Sequence, residues 1–380
     1  MRIAQIAPLY ESCPPQLYGG TERVVSFLTE ELVRMGHDVT LFASGDSKTA
    51  AHLVPICPLA LRLEDCREPL AHYTVMLHHV MQMADHFDML HFHTDYLHYP
   101  LMAGAGRPYV TTLHGRQDLE DLVPVYRTFR HVPLVSISDS QRTPMPHANW
   151  VRTVHHGLPE DLIALGRGDG GYLAFVGRIS PEKRLDRAIR IAQAAGMPLR
   201  VAAKVDRADK DYYQQEIAPL LGGPGITFVG EINEAQKRDF LGQARALLFP
   251  IDWPEPFGLV MIEAMAAGTP VLAFRAGSVP EVLEDGVSGC IVETLDEAIA
   301  RLPEVLALDR RRVRASFERR FSAARMARDY VDVYEELARP RTVHERASLA
   351  VARTSPERIV PVPSIARIPL APEQGGAATA

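Results

Sequence analysis

From residue 250 to 270 the chain reads PIDWPEPFGLVMIEAMAAGTP. An apolar run just before it predicts a short buried strand, and the prolines that follow cannot continue a strand because proline lacks the ladder donor. Residues 259–267 are helix formers, and a glycine and a proline then end the helix. The stretch therefore predicts a strand, a tight loop and a helix, with Glu255 in the loop and Glu263 inside the helix.

The start of that predicted helix is suited to an anion. The amides of Phe257, Gly258 and Leu259 would be unpaired donors, and together they carry a partial positive charge. Gly258 has no side chain to keep a ligand away from the backbone. At about 1.5 Å rise per residue, Glu263 lies one to two turns further in, while Glu255 lies at the mouth. A ligand with a central phosphate, a ribose at one end and hydroxyls at the other would contact all three features.

A second strand-to-helix turn carries two cations. It follows a predicted strand at residues 172–176 and contains Arg178, a planar donor fork, and Lys183, a mobile point charge. Two such cations suit a diphosphate and would stabilise it as a departing group. The alternative is a solvated basic turn whose cations are paired with Glu182 or Asp186.

The first half of the chain begins with a β-loop-α-β unit, which favours a parallel sheet. Strands are predicted at residues 2–7 and 38–43, and Thr21 is the expected N-cap of the helix between them. The loop contains Gly19 and Gly20 but lacks the spacing of a dinucleotide-binding fingerprint. A glycine pair before a helix can approach a phosphate or a sugar closely, although the loop alone favours a plain turn.

Polar side chains end two later strands of the first half. His93 and Asp95 follow one strand, and His114 follows the next. The carboxyl ends of parallel strands face the ligand crevice, so these residues are better placed for binding than other polar residues. A lone histidine at a strand end is nevertheless more often structural.

These motifs together resemble glycosyltransferase family 4, whose members have the GT-B fold. The resemblance covers about residues 1–338. It rests on a Glu-x7-Glu signature, on Gly-Arg-x-x-x-x-Lys, and on a Gly-Gly pair before the first helix. The residues that match are Glu255, Phe257, Gly258, Glu263, Ala264, Ala266, Gly268, Pro270, Val271, Gly177, Arg178, Lys183, Gly19, Gly20, Glu22 and Val25.

The resemblance implies a role for each site residue. Arg178 and Lys183, with the amides of residues 257–259 and with Gly20, would hold the diphosphate of a nucleotide-sugar donor. Glu263 would accept hydrogen bonds from the ribose. Glu255 would contact the sugar hydroxyls, and His114 would lie against the sugar; Arg178, Lys183, Glu255 and His114 are the expected catalytic residues.

The chain also departs from the family pattern. His156 and Pro159 stand where members usually have asparagine and aspartate, so no polar role is carried over to those positions. Residues 228–232 resemble the base-binding stretch, and residues 277–281 resemble a G-G-x-x-E motif.

The fold class implied is α/β, GT-B, with two Rossmann-like doubly wound domains and a cleft between them. The expected divisions are an acceptor-binding domain at 1–160, a linker at 161–171, a nucleotide-sugar-binding domain at 172–320, a helix crossing back to the first domain at 321–338, and a disordered tail at 339–380.

Composition limits the function and the location. With 41 basic and 47 acidic residues, the chain lacks the basic balance of a non-specific nucleic-acid binder. The 4 cysteines fit neither a metal motif nor a disulfide scaffold, which favours a reducing cytoplasm. No stretch predicts a signal peptide or a membrane span, so we expect a soluble protein. Residues 122–130 could make peripheral contact with a membrane, although an ordinary surface helix is favoured.

The activity implied is retaining transfer of a hexose from a nucleotide sugar, UDP-glucose first and GDP-mannose second, to a hydroxyl. The acceptor would be a sugar, a lipid-linked sugar or a small molecule. No side chain is an obvious nucleophile, no cofactor is expected, and the cationic turn would replace a metal ion. The alternatives are a non-catalytic nucleotide-sugar-binding protein and a GT-B epimerase. A phosphorylase would need a pyridoxal-binding lysine, and no motif for one is visible.

Overall fold

A computed structural model describes residues 1–16, 19–64 and 66–339, so nearly all of the tail expected at 339–380 lies outside the described residues. The strands are β1 (Arg2–Ile6), β2 (Asp38–Ala43), β3 (His52–Pro55), β4 (Met89–Phe92), β5 (Tyr109–Thr112), β6 (Leu134–Ser136), β7 (Trp150–Thr153), β8 (Leu173–Arg178), β9 (Leu199–Lys204), β10 (Ile226–Gly230), β11 (Ala246–Phe249), β12 (Val271–Phe274) and β13 (Gly289–Val292). The helices are α1 (Gly20–Arg34), α2 (Pro69–Met83), α3 (Tyr99–Met102), α4 (Leu122–Thr128), α5 (Leu185–Ala194), α6 (Lys210–Tyr212), α7 (Ala218–Leu221), α8 (Glu234–Gln243), α9 (Leu259–Ala266), α10 (Val279–Val282), α11 (Leu295–Leu306), α12 (Arg310–Arg320) and α13 (Ala323–Ala338), with a π-helical turn at Tyr213–Ile217 between α6 and α7.

The strands form two parallel sheets with helices on both faces. The first sheet has the order β3-β2-β1-β4-β5-β6-β7, and the second has the order β10-β9-β8-β11-β12-β13. In each sheet the strand order reverses beside the first strand, β1 or β8, which creates a crevice at the carboxyl ends of the strands. The two crevices face each other, and the binding residues expected from the sequence follow strands that end there.

Several elements are absent from the expectations made from the sequence. Two of them are the strands β3 and β13, which have four residues each. The helix α12 is dominated by arginine and has no clear apolar period; it packs onto α9 through Val313 and Phe317, which are fully buried. Such elements are stabilised by tertiary packing, so local pattern does not reveal them.

The first helix begins one residue before the expected cap. Gly19 is the N-cap of α1, and the Arg23 amide donates to the Gly19 carbonyl at 3.2 Å. The expectation that Thr21 caps the helix is therefore wrong. A Cβ at Gly19 would lie 2.7 Å from the Cβ of Pro15, so the close packing of this loop requires glycine.

The last helix packs against the first sheet. Tyr330 and Tyr334 on α13 are fully buried beside Ile3 of β1 and Val24 of α1. The Tyr330 hydroxyl bonds the hydroxyl of Thr112 in β5 at 2.9 Å. The first strand and the last described helix thus lie on the same sheet, and α13 joins the two halves of the molecule.

Residues 122–130, for which the sequence favours an ordinary surface helix over peripheral membrane contact, include α4. Tyr126 in its middle is buried, and Phe129 just beyond it packs edge-on against Tyr99 at 5.7 Å. These aromatics point into the domain, and membrane contact stays a prediction. Within the described part of the chain, no helix is long and apolar enough to cross a bilayer. The four cysteines are free thiols.

Candidate active site

A cleft of about 560 Å³ separates the carboxyl ends of the two sheets. Its walls come from both halves of the chain. They include every site residue that the sequence predicts: Gly20, His114, Arg178, Lys183, Glu255, Phe257, Gly258, Leu259 and Glu263.

Two helices point their N-termini into this cleft. The first is α1, which begins at Gly20, and the second is α9, which begins at Leu259. They meet closely, since a Cβ at Gly20 would lie 3.6 Å from Leu259 Cδ1. Each N-terminus presents amides without helical acceptors and a partial positive charge. The arrangement suits an anion bound between the two domains.

The loop before α9 is held in place by its neighbours. Gly258 has a φ of 78°, and a Cβ there would lie 2.8 Å from Met261 Cε. On the other side, Gly277 packs so closely that a Cβ would lie 2.3 Å from the Glu255 amide nitrogen. The amide of Ser278 donates to the Glu255 carbonyl at 3.0 Å. The segment that resembles G-G-x-x-E therefore positions the carboxylate at the cleft mouth.

Both expected phosphate-binding cations are ion-paired. Lys183 Nζ contacts the Glu255 carboxylate and lies 5.0 Å above the centre of the Trp253 ring. The Glu255 carboxylate also accepts a bond from Trp253 Nε1 at 3.0 Å. A diphosphate that reaches Lys183 would compete with Glu255 for this ammonium group, which would leave Glu255 able to bond sugar hydroxyls.

Arg178 lies among carboxylates. It pairs with Glu182, and its guanidinium nitrogens lie 3.4 Å from Asp209 and 3.6 Å from Asp206. The pairing with Glu182 is the one that the solvated-turn alternative expects. Because Arg178 also lines the cleft, the pairing and a role in anion binding are compatible.

Glu263 lies one turn inside α9 and is almost completely buried. Its partner is Lys237 of α8, with 2.5 Å between carboxylate and ammonium. Only 5% and 11% of the two side chains are exposed. Burial lowers the pKa of Lys237, and the carboxylate opposes that shift. A ribose that bonds Glu263 would thus meet a carboxylate already fixed by Lys237, a residue that no sequence motif indicated.

His114 ends a chain of buried hydrogen bonds. Its Nε2 lies 2.8 Å from His93 Nδ1, and His93 Nε2 lies 2.8 Å from the Gln5 side-chain oxygen. The Gln5 amide nitrogen donates to the Tyr334 hydroxyl at 3.1 Å. With this amide orientation, His93 Nε2 donates and its Nδ1 accepts, so His114 donates through Nε2.

The consequence is that His114 presents Nδ1 as an acceptor. Among the described residues that atom has no hydrogen-bond partner, and burial lowers the pKa of His114 to about 3. The ring therefore stays neutral at neutral pH, and its buried Nδ1 would accept a bond from a sugar hydroxyl that reaches it. His93 is also expected at the crevice. It bonds His114 instead and is not among the residues that line the cleft.

His156 also lines the cleft, where the family usually has asparagine. Its ring stacks on His114, with 5.3 Å between centroids and 17° between planes. Phe257 meets the same ring edge-on at 4.9 Å. Through this stack, side chains of the first half of the chain contact Phe257 in the loop before α9.

Further contacts hold the two sheets in their present orientation. The Glu281 carboxylate accepts bonds from the amides of Asp139 and Ser140, both at 2.7 Å, and lies 3.3 Å from His155 Nε2. Arg23 of α1 also pairs with Glu234, the first residue of α8, and both line the cleft. The sequence did not indicate either contact, because the partners are more than a hundred residues apart.

Comparisons with known sequences agree with this geometry. The profile described as "Glycosyltransferase Family 4" matches residues 18–168, and the profile described as "Glycosyl transferases group 1" matches residues 164–320. A D-inositol 3-phosphate glycosyltransferase of Saccharomonospora viridis is 32% identical over 228 residues, which cover 52% of this chain and 50% of that protein. An alpha-maltose-1-phosphate synthase of Mycolicibacterium smegmatis is 24% identical, and the match covers 89% of this chain and 100% of that protein.

Solved structures have the same architecture. A sucrose-phosphate synthase from Thermosynechococcus elongatus superposes with a TM-score of 0.73 at 18% identity, covering 89% of this chain and 99% of the other. An Anabaena protein in complex with UDP and glucose gives 0.66 at 18% identity, covering 89% and 100%. The fold is thus GT-B, with two Rossmann-like α/β domains, as the sequence predicts.

The match to the first curated relative spans only half of that protein's length, and the match to a second spans 42%. The two profiles nevertheless run without a gap from residue 18 to residue 320, across both domains and every residue of the cleft named above. Taken with the signature residues that line one cleft, they show that this chain belongs to glycosyltransferase family 4.

Proposed function

We propose that the protein transfers a hexose from a nucleotide-diphosphate sugar to an acceptor hydroxyl. UDP-glucose is the first candidate donor and GDP-mannose the second. Transfer would retain the anomeric configuration, and a metal ion would not be needed. Membership of the family supports the reaction class, and retention is carried by the Glu255 and Glu263 signature.

The single observation that carries this proposal is that several groups suited to a diphosphate converge on the cleft. Two helix N-termini and two cations, Arg178 and Lys183, surround one space between the domains. Preorganised donors of this kind stabilise negative charge where it develops, which is on the departing diphosphate. Glu263 lies on the side suited to the ribose, and Glu255 with His114 lies on the side suited to the sugar.

The chemistry then needs few protein groups. The bond between the anomeric carbon and the diphosphate breaks, and the acceptor oxygen forms the new bond on the same face of the sugar. The acceptor proton passes to the leaving phosphate oxygen. Lys183 and Arg178 hold the diphosphate during this step, and neutral His114 accepts a bond from a sugar hydroxyl.

The first test is a thermal-shift titration with UDP, GDP and ADP in EDTA. A ligand that binds only the folded state at about 100 times its Kd stabilises by about 2.7 kcal/mol, so a selective rise in Tm of several degrees is expected for one nucleotide. Lys183→Ala should lose the rise, and Lys48→Ala, an exposed lysine away from the cleft, should keep it. No rise with any nucleotide, or an undiminished rise in Lys183→Ala, would overturn the proposal.

Turnover separates the remaining possibilities. The full chain, incubated with the matching nucleotide sugar and candidate acceptors, should release nucleoside diphosphate and form a glycoside whose anomeric configuration, read by NMR, equals that of the donor. Tight binding without release would favour a nucleotide-sugar-binding protein. Conversion of the donor to a stereoisomer without any acceptor would favour an epimerase.

A further inference from the structure

A second cavity, of about 340 Å³, opens beside the cleft on the side of the first sheet. It shares Tyr10, Thr21 and Glu22 with the cleft, so a molecule inside it would lie next to a donor bound between the domains. Its remaining walls come from Pro8, from Tyr73 and from residues 93–97, which follow β4. Nothing in the proposed donor binding uses this space.

The charged groups of the second cavity are acidic. Glu22 is 6% exposed, and Asp95, which lines the same cavity on the segment after β4, is exposed. No lysine or arginine occurs among the described residues that line it. Burial raises the pKa of Glu22, and a phosphate beside it would add like-charge repulsion to that penalty. The nearby Arg62 lines the cleft, and its guanidinium bonds Glu11 at 2.7 Å.

The other walls carry groups suited to carbohydrate. Tyr10 and Tyr96 are 47% and 41% exposed, and their rings offer flat apolar faces to the CH groups of a sugar. The hydroxyl of Thr94 is buried, and among the described residues it has no hydrogen-bond partner. Carboxylates accept bonds from two hydroxyls at once, so these groups together match a molecule rich in hydroxyls.

We propose that the second cavity is the acceptor subsite and that it takes an uncharged sugar rather than a phosphorylated or otherwise anionic acceptor. This inference rests on the proposed function, since the donor must occupy the adjoining cleft. It distinguishes this chain from relatives whose names carry a phosphate, including the D-inositol 3-phosphate glycosyltransferase.

The test applies the full chain, loaded with UDP, to an array of neutral oligosaccharides and their phosphate monoesters. Neutral glycans should bind at least ten-fold more strongly than their phosphorylated counterparts. Equal or stronger binding of the phosphate esters, or no neutral glycan bound at all, would overturn the subsite. UDP binding is measured separately by the rise in Tm, so its failure would instead count against the proposed function.

Substitutions of residues that line the second cavity but not the cleft test where the glycan binds. Asp95→Asn removes the charge and suits the backbone, since Asp95 has a φ of 49° and asparagine tolerates that region well. Asp95→Asn and Tyr96→Ala should each weaken glycan binding at least five-fold and leave UDP affinity unchanged. The matched control is Asp332→Asn, on the exposed side of α13. Unchanged glycan binding in both cavity variants would place the acceptor elsewhere.

Discussion

Single residues in the cleft act as pairs rather than as separate ligands. Lys183 and Glu255 neutralise each other across 72 positions of sequence, and Lys237 and Glu263 do so across 26. Each pair joins a residue with an expected binding role to another charged group. A substitution in the cleft therefore changes both ligand binding and folding stability, and the two effects must be measured separately.

Glu263 shows this most clearly. Replacing it with alanine removes the nearer of two carboxylates beside the buried Lys237 ammonium and leaves Glu234 at 3.5 Å, so Glu263→Ala should lower the free energy of unfolding by at most about 3–5 kcal/mol. Glu263→Gln keeps an oxygen for Lys237 and should cost clearly less. Urea unfolding of both variants checks this order.

Glu263→Gln is then the variant suited to testing the ribose contact. Its nucleotide affinity should fall while it remains folded, as monitored by circular dichroism. If Glu263→Ala proves as stable as the unsubstituted chain, the buried ion pair is not formed in solution.

At the scale of elements, the start of α9 decides the shape of the site. The helix begins from Gly258 in a left-handed conformation with Met261 and Phe249 close to the position of a Cβ. That geometry turns the first amides of the helix into the cleft. The motif thus needs glycine both for its backbone angle and for space.

A pair of glycine variants separates these two needs. Gly258→Ala should cost more than the about 1–2 kcal/mol of left-handed strain, because the Met261 and Phe249 side chains must move, and the added methyl group should weaken nucleotide binding at the start of α9. Gly36→Ala is the control: Gly36 has a φ of 86° after α1 and no atom within 4 Å of the Cβ position. Gly36→Ala should lower the free energy of unfolding by the left-handed strain alone and leave nucleotide binding unchanged.

Unfolding free energies and nucleotide titrations of the two proteins give the comparison. If Gly258→Ala and Gly36→Ala lose the same stability and Gly258→Ala still binds the nucleotide, then the start of α9 tolerates a side chain. Crowding around Gly258 would then not determine the position of the helix start.

For the whole molecule, contacts at the edge of the cleft hold the domains together. Glu281 of the second domain bonds two amides of the first, and α13 packs onto the first sheet. Hydrogen bonds to a charged group contribute about 1.5–3 kcal/mol each. These few bonds therefore suffice to bias the angle between the domains.

Glu281→Ala should loosen that orientation. We expect a larger radius of gyration by small-angle X-ray scattering and a weaker apparent affinity for the nucleotide, since both domains form its site. Glu293→Ala, which breaks an exposed pair with Arg275 inside the second domain, is the control and should change neither. A domain angle and affinity that survive Glu281→Ala would show that the other contacts, among them α13 and the Arg23–Glu234 pair, hold the orientation without Glu281.

The buried histidines give the whole molecule a dependence on pH. Burial lowers the pKa of His91, His93, His98 and His156 well below the ordinary value, and that of His114 to about 3. The unfolded chain binds protons at these histidines below about pH 6.5, whereas the folded chain does not. Stability is therefore complete above that pH and is lost as the pH falls.

Each such histidine contributes up to about 1.4 kcal/mol per pH unit. The free energy of unfolding, measured in urea at pH 7.5, 6.5 and 5.5, should fall steeply between the last two values. His98→Asn removes one of these histidines. It should therefore reduce the slope of the free energy of unfolding against pH by up to about 1.4 kcal/mol per pH unit. A flat profile would show that the histidines are solvated in the folded chain.

The sequence by itself determined the alternation of strands and helices, the two helix starts that face the cleft, and the site residues that line it. These features are local, since strand ends, glycines and capping positions are written in neighbouring residues. It did not reveal α12, whose arginine-rich sequence carries no period, or the cap at Gly19.

Only the tertiary structure decided which side chains meet. The pairing of Glu263 with Lys237, the chain from His114 through Gln5 to Tyr334, and the acidic second cavity depend on strand order and on the angle between the domains. Tyr334 and His91 bond at 2.7 Å although 243 positions separate them. Contacts of that range arise from packing of whole elements, and local periodicity carries no information about them.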